Sequence, residues 1–383
     1  MRKLITLFAS THLLALMLGS VTPAGAAKSF VYIGTYTRGS DSEGIYAFDF
    51  DEQSGELTPR GRAGISTNPS FLAVHPKKNL LFAVGETRDF NDAKSGSLAV
   101  FRIAPESGEL TELNRVASSG GSPCHLVVDR DGRHVLVANY HGGNVAAIKI
   151  GEDGRLGART AFAQHEGSSA NPRRQEGPHA HSINLDRDNR RAFAADLGTD
   201  ELVIYDYDSG AGTLQRSGAV EAAPGSGPRH LAVHPGGERL YLLNELLSTV
   251  AVIQYDPSSG ATEVLQTIST LPADHQGNNS TAEVQITPDG RFLYASNRGH
   301  DSLACFKIDQ DSGKLTLVEF EPTGGKTPRN FGIHPGGKFI IAANQNSDSL
   351  RVFAIDQESG KLRDTGHGAK CPKPVCVTFS TTK

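Results

Sequence analysis

Two stretches of this sequence carry groups suited to proton transfer beside an anion. Gly177-Pro178-His179-Ala180-His181 spaces two imidazoles, and Gly227-Pro228-Arg229-His230 opens a run that closes on Asn244-Glu245. Glu86 lies earlier in the chain, and Glu283, Arg298 and Arg329 lie later. His181 is a general acid or base near neutral pH, and Glu245 and Glu86 are candidate general bases. The guanidiniums of Arg229, Arg298 and Arg329 supply fixed positive charge for a carboxylate, a phosphate or a developing oxyanion.

These residues fall at matching places in a repeat. In the stretch 227–245 a period-2 run follows Gly-Pro, His234-Pro235-Gly236-Gly237 supplies turn chemistry, and an apolar run ends at Asn244-Glu245. That reads as two strands joined by a turn. Equivalents of His234 are His75, Asp129, Asp186, Thr287 and His334, and the matching stops are Gly85, Asn139, Asp196, Asn297 and Asn344. A third strand follows each stop, and a fourth often follows an acidic Ser-Gly-x-Leu turn, as in Asp311-Ser312-Gly313-Lys314-Leu315. Four strands at intervals of about 50 residues are the signature of a β-propeller.

The chain ends set the expected blade number. Phe30–Thr35 resembles a second strand, and Lys373–Phe379 resembles a first strand with no partner after it. The sequence therefore predicts an all-β, seven-bladed propeller of four-stranded blades, with the ring closed by pairing of the N- and C-terminal strands. The start of each first strand and the end of each second strand then meet at one mouth of the central channel. The first-strand ring is Ser70, Cys124, His181, Arg229, Ala282, Arg329 and Val375; the second-strand ring is Thr35, Glu86, Tyr140, Leu197, Glu245, Arg298 and Gln345. Glu283 and His230 stand one residue further along, where strand alternation leaves their direction open.

Structural roles compete for the same residues. Arg229 and Glu245, on adjacent strands, can simply pair. His181 can be a hydrogen-bonded channel histidine, and Arg298 and Arg329 solvated rim residues. The histidines of the His-Pro turns read as turn residues, and His179 with His181 lacks an identified third zinc ligand. The sequence contains no Gly-x-Ser-x-Gly elbow, phosphate loop or zincin helix, so no metal and no cofactor is expected.

Met1-Arg2-Lys3, an uncharged and mostly apolar stretch and Ala24-Gly25-Ala26 together read as a secretory signal peptide spanning 1–26, which leaves 27–383 as one propeller domain in the periplasm or outside the cell. Removing the leader makes the net charge of −4 still more negative, which argues against nucleic acid and anionic membranes as partners. No later segment is apolar enough to span a bilayer. Of Cys124, Cys305, Cys371 and Cys376, the last two stand close enough in sequence to bridge in an oxidising compartment, or remain ordinary buried thiols.

Gly177–Ser182, Gly227–Leu231, Leu243-Asn244-Glu245, Tyr294–Gly299 and Pro328-Arg329-Asn330-Phe331 together resemble the seven-bladed lactonase family, which includes propeller-type 6-phosphogluconolactonase and the fungal carboxymuconate lactonising enzyme. The resemblance spans essentially all of the mature chain and implies lactone chemistry on a small-molecule substrate without an obligatory metal. It carries the catalytic roles onto His181, Arg229 and Glu245, with Arg298 or Arg329 as a further arginine. Arg298, Arg329, Glu283, His179 and Glu86 are the expected substrate-binding set. On this reading Glu245 or His181 activates water and the arginines hold the anion. The signal peptide departs from the cytosolic setting of sugar-phosphate metabolism and brings an unphosphorylated lactone into view. A noncatalytic propeller that binds a ligand or protein at the same mouth is the alternative.

Overall fold

The computed structural model describes residues 29–92 and 94–381. The leader expected at 1–26 lies outside them. Short alternating runs bounded by turn residues form strands, and four strands pair antiparallel in each of seven sheets, successive in six of them. Blade 1 begins with the strand Leu72–Val74, blade 2 with Pro123–Val128, blade 3 with Ala180–Leu185, blade 4 with Pro228–Val233, blade 5 with Ser280–Ile286 and blade 6 with Pro328–Ile333. Blade 7 is composite, as expected: Pro374–Thr381 is its inner strand and pairs with Ser29–Thr35, outside which lie Gly44–Phe50 and Leu57–Ile65. The inner strands contact one another in sequence around a closed ring.

Each blade has two apolar faces and buries both against its neighbours. The core is accordingly divided into clusters shared by adjacent blades: Leu136, Ala138 and Val145 of blade 2 pack with Ile183, Ala192 and Val203 of blade 3, and the same arrangement recurs at the other interfaces. This partition decides the state of two cysteines. Cys371 packs in the cluster between blades 6 and 7, whereas Cys376 packs in the one between blades 7 and 1. They sit on opposite sides of one sheet, and all four cysteines are free and buried, so the bridge does not form.

The His-Pro turns have the structural role expected of them. His234 accepts the Gly236 N–H on Nδ1 at 3.0 Å and reaches the Gly290 carbonyl of the next blade through Nε2 at 3.1 Å. His75 does the same with Lys77 N–H and Gly132 carbonyl, at 2.9 and 3.1 Å. The polar stops tie down the chain arriving from the preceding blade. Asn297 donates to Thr270 carbonyl at 2.7 Å and Asn344 to Thr323 carbonyl at 3.0 Å.

One backbone irregularity controls what enters the channel. In blade 4, Pro228 faces Asn244 but His230 faces Leu243, so Arg229 is an extra residue in the ladder. Cys124, His181, Arg329 and Val375 are extra in the same way, and blade 5 sets two residues, Ala282 and Glu283, against one. A β-bulge breaks strict alternation and re-aims side chains. Six of the seven positions of the first-strand ring read from the sequence fall at these bulges, whereas Ser70 precedes the Leu72–Val74 strand.

Candidate active site at the channel mouth

Glu245, one residue beyond the second strand of blade 4, is the centre of a guanidinium cluster. Its Oε2 accepts from Arg229 Nε at 2.9 Å and lies 3.1 Å from Arg298 Nη2, while Oε1 accepts from Arg174 Nη2 at 2.8 Å. Each arginine is held a second time: Arg229 donates to the Ala282 carbonyl, Arg298 to the Thr281 carbonyl at 2.6 Å, and Arg174 to the Tyr140 hydroxyl at 3.3 Å. Burial favours the neutral acid at Glu245, but Arg298, Arg229 and Arg174 outweigh it and hold the carboxyl well below the usual carboxylate range. A carboxylate so stabilised is a weak proton acceptor. Burial acts on the arginines too, and brings Arg298 down to about 9 despite Glu245.

His181 lies beside this cluster, with Nε2 3.9 Å from Glu245 Oε2, too far for a direct hydrogen bond. Its Nδ1 faces the Cys124 sulfur at 3.7 Å, and its ring meets Tyr140 edge-on at 5.4 Å. Burial and the neighbouring Arg229 push its pKa far below the ordinary imidazole value, so the ring is neutral and keeps an unprotonated nitrogen, although the same surroundings weaken it as a base.

Arg329 differs from the other arginines. Its guanidinium lies over the Tyr36 ring at 5.3 Å and makes no hydrogen bond or ion pair with a described residue. Burial opposes its charge, but Tyr36, Glu86 and Glu245 hold its pKa above the ordinary value. Glu86 itself accepts from the Tyr36 hydroxyl at 2.9 Å and from Ser70. Four guanidiniums against two carboxylates, with His181 neutral, leave the mouth net positive in a chain whose formal charge is −4. An anion is drawn to such a site.

The structure therefore brings together His181, Arg229, Glu245 and Arg298, and sets Arg329 and Glu86 on the facing wall. His179 lies at the rim, stacked on Tyr140 at 4.4 Å and bonded through Nδ1 to the Tyr140 carbonyl at 3.1 Å. Glu283 is not at the mouth. Phe71, His230 and Asn330 border the spaces on both sides and form a partition, and Glu283 lines only the inner side. There it bonds Asn330, accepts Val284 N–H at 3.0 Å and faces His230 Nδ1 at 3.3 Å.

Sequence reasoning missed Arg174 and Tyr36 as site residues. Arg174 comes from the long connection before blade 3, where the buried Gln175 fixes the path by donating to Leu197 carbonyl at 2.9 Å and accepting Asn171 N–H at 2.8 Å. The signal was present in the length of that connection and in the pair Arg173-Arg174. Tyr36 stands one residue beyond Thr35, which was placed in the second-strand ring.

Comparison with known proteins follows the same lines. The family described as "Lactonase, 7-bladed beta-propeller" matches residues 30–379. The 6-phosphogluconolactonase of Bacillus subtilis (strain 168) is 38% identical over 304 residues, 79% of this chain and 84% of that protein. The 6-phosphogluconolactonase of Formosa agariphila is 33% identical over 308 residues, covering 79% and 86% of the two chains. Among solved structures, the periplasmic gluconolactonase PpgL of Pseudomonas aeruginosa superposes with a TM-score of 0.86 at 35% identity, over 93% of this chain and 100% of that one. A match across nearly every blade, with relatives of this identity and coverage, means that the chain belongs to the seven-bladed β-propeller lactonase family.

Proposed function

We propose that the channel mouth hydrolyses a sugar lactone. The observation that carries this reading is a neutral buried imidazole, His181, beside a net-positive cluster in which one guanidinium, that of Arg329, is uncommitted. His181 takes a proton from water as the water oxygen adds to the lactone carbonyl, and Arg329 stabilises the resulting oxyanion. The tetrahedral intermediate collapses with cleavage of the ring C–O bond, and the imidazolium returns its proton to the departing alkoxide. Glu245 acts as a positioning residue, fixing Arg229, Arg298 and Arg174 around the reacting centre.

The single uncommitted guanidinium favours an unphosphorylated aldonolactone, because a phosphate on the same substrate needs an anchor of its own. The description of PpgL as a periplasmic gluconolactonase and the leader read at 1–26 favour the same substrate and an exported protein. Among the described residues no helix is long and apolar enough to cross a membrane. The test is hydrolysis of gluconolactone with and without a 6-phosphate by the wild type, His181→Ala and Arg329→Ala. Turnover of the unphosphorylated lactone, falling by about 10²-fold or more in both variants, supports the assignment. Near-normal turnover in both variants sinks it.

A further inference from the structure

The connection that enters blade 3, residues 165–179, is longer than those that enter blades 2 and 6, residues 118–122 and 323–327. It is also anchored differently. Of the six polar or small stops, Asp196 alone is acidic. Asn139 donates its amide to the Ser118 carbonyl at 3.1 Å, as Asn297 and Asn344 do to the chain arriving at their own blades. A carboxylate has no such proton to give, so at blade 3 the arriving chain must bring the donor. It brings His165, whose Nδ1 stands 2.6 Å from Asp196 Oδ2 and whose Nε2 meets the Tyr205 hydroxyl at 2.7 Å. All three side chains are buried. The second oxygen of Asp196, Oδ1, accepts the His179 N–H at 2.8 Å. One carboxylate therefore clasps both ends of the connection. Between them the Ser169 hydroxyl donates to Asp200 Oδ2 at 2.6 Å, and its N–H donates to the Gln175 carbonyl at 3.0 Å.

The clasp delivers Arg174 to the mouth. Its guanidinium bonds Glu245 and Tyr140 through Nη2 alone, and its Nε and Nη1 bond no described residue. Of the guanidiniums around Glu245 it is the one that solvent reaches most: its side chain is 39% exposed, against 3% for Arg229 and 13% for Arg298. Glu245 already offsets its charge, so what Arg174 offers a ligand is N–H donors and not a free cation. Such a group suits neutral oxygen acceptors.

We infer that Arg174 is a specificity-determining residue that binds hydroxyl oxygens of the substrate, and that His165, Asp196 and Ser169 are positioning residues that hold it at the mouth. The class of the ligand, a polyhydroxylated lactone, rests on the lactonase reading. A lactone ring without hydroxyls gives the free donors of Arg174 nothing to bond and is held less tightly. Arg174 touches the substrate, whereas the three residues of the clasp act only through it, so their effects on binding must vanish once Arg174 is gone.

The probes are lactams, which resist hydrolysis: glucono-1,5-lactam, which carries the hydroxyls, and 2-piperidone, which has the same ring without them. Calorimetry on the full chain should show the wild type binding gluconolactam more tightly than 2-piperidone. Arg174→Met should weaken gluconolactam by about tenfold, the worth of one hydrogen bond from a charged donor, and change 2-piperidone little. His165→Phe should weaken gluconolactam in the same way, and added to Arg174→Met it should cause no further loss. Ser169→Ala, which cuts the tie to Asp200, takes its place in that cycle should His165→Phe not fold. Equal affinity of the wild type for the two lactams, an Arg174→Met variant that binds gluconolactam as the wild type does, or additive losses in the double variant each overturns the inference. Turnover of gluconolactone by the wild type is measured alongside. With turnover intact those outcomes remove the role of Arg174 and leave the lactonase reading standing, whereas the expected lactam series without turnover keeps the binding role and removes the reaction.

Discussion

Arg229 Nε and Glu245 Oε2 are 2.9 Å apart although 16 residues separate them, and both side chains are almost wholly enclosed. The bulge that turns Arg229 into the channel and the Asn244 stop that ends the facing strand bring the two to one point. Two charges out of water offset their desolvation only while paired, so losing one partner costs more than the pair contributes. Glu245→Gln should lower unfolding free energy by about 3–5 kcal/mol in urea titrations. In a cycle with Arg229→Met, the double variant should be less destabilised than the sum of the singles. Additive losses would mean that the two residues act independently.

The state of His181 predicts an acid limb displaced from its ordinary place. Burial and Arg229 lower its folded pKa, so the proton-accepting form persists as pH falls below the ordinary 6.5. The kcat/KM of lactone hydrolysis should stay level between about pH 8 and pH 6 and fall only under more acidic conditions. A half-loss centred near pH 6.5 would contradict this environment for the base.

Arg329 and Arg298 should separate activity from stability. Arg329 makes only a ring contact, so Arg329→Ala should cost about 10²–10³ in kcat and shift the melting temperature little. Arg298 bonds Glu245 and two backbone carbonyls, so Arg298→Ala should cost stability as well as rate. Paired thermal melts and initial rates read the difference. Equal melting shifts for the two would remove the distinction.

Glu283 gives stability a pH dependence of the opposite sense to that of an ordinary ion-paired carboxylate. Burial, only partly opposed by Arg229, raises its pKa from 4.5 to about 8. The folded chain then holds a proton that the unfolded chain has released, so this group's contribution is complete below about pH 4.5 and is lost as pH rises through about 8. Glu283→Gln cannot ionise. Relative to that variant, the wild type should lose on the order of 2–4 kcal/mol between about pH 5 and pH 9 in denaturant titrations. A constant difference across the range would show that Glu283 does not titrate there.

The sequence disclosed most about features made by neighbouring residues. The His-Pro-Gly-Gly and Ser-Gly-x-Leu turns are each encoded within a few positions and the polar stops recur at a fixed distance from the first of them, so the blades and their closure could be read directly. The directions of His230 and Glu283 could not, because a bulge is a property of two strands in register and not of either strand alone. Arg174 was marked only by the long connection and the pair Arg173-Arg174, and its place at the mouth depends on a loop folded around Gln175, whose partners are Leu197 and Asn171. The choice between Arg298 and Arg329 rests on which guanidinium is already bonded, and composition carries no record of that.

Closure of the ring also joins the two ends of the chain at the channel wall. Val375 borders the mouth-side space, and Cys376 through Phe379 line the space on the inner side of the partition, yet they form the wall beside a strand that begins at Ser29. Without the strand that carries them, blade 7 would lack its inner member and the ring would be open at one place. Both spaces therefore share one closing wall, the strand Pro374–Thr381 held beside Ser29–Thr35.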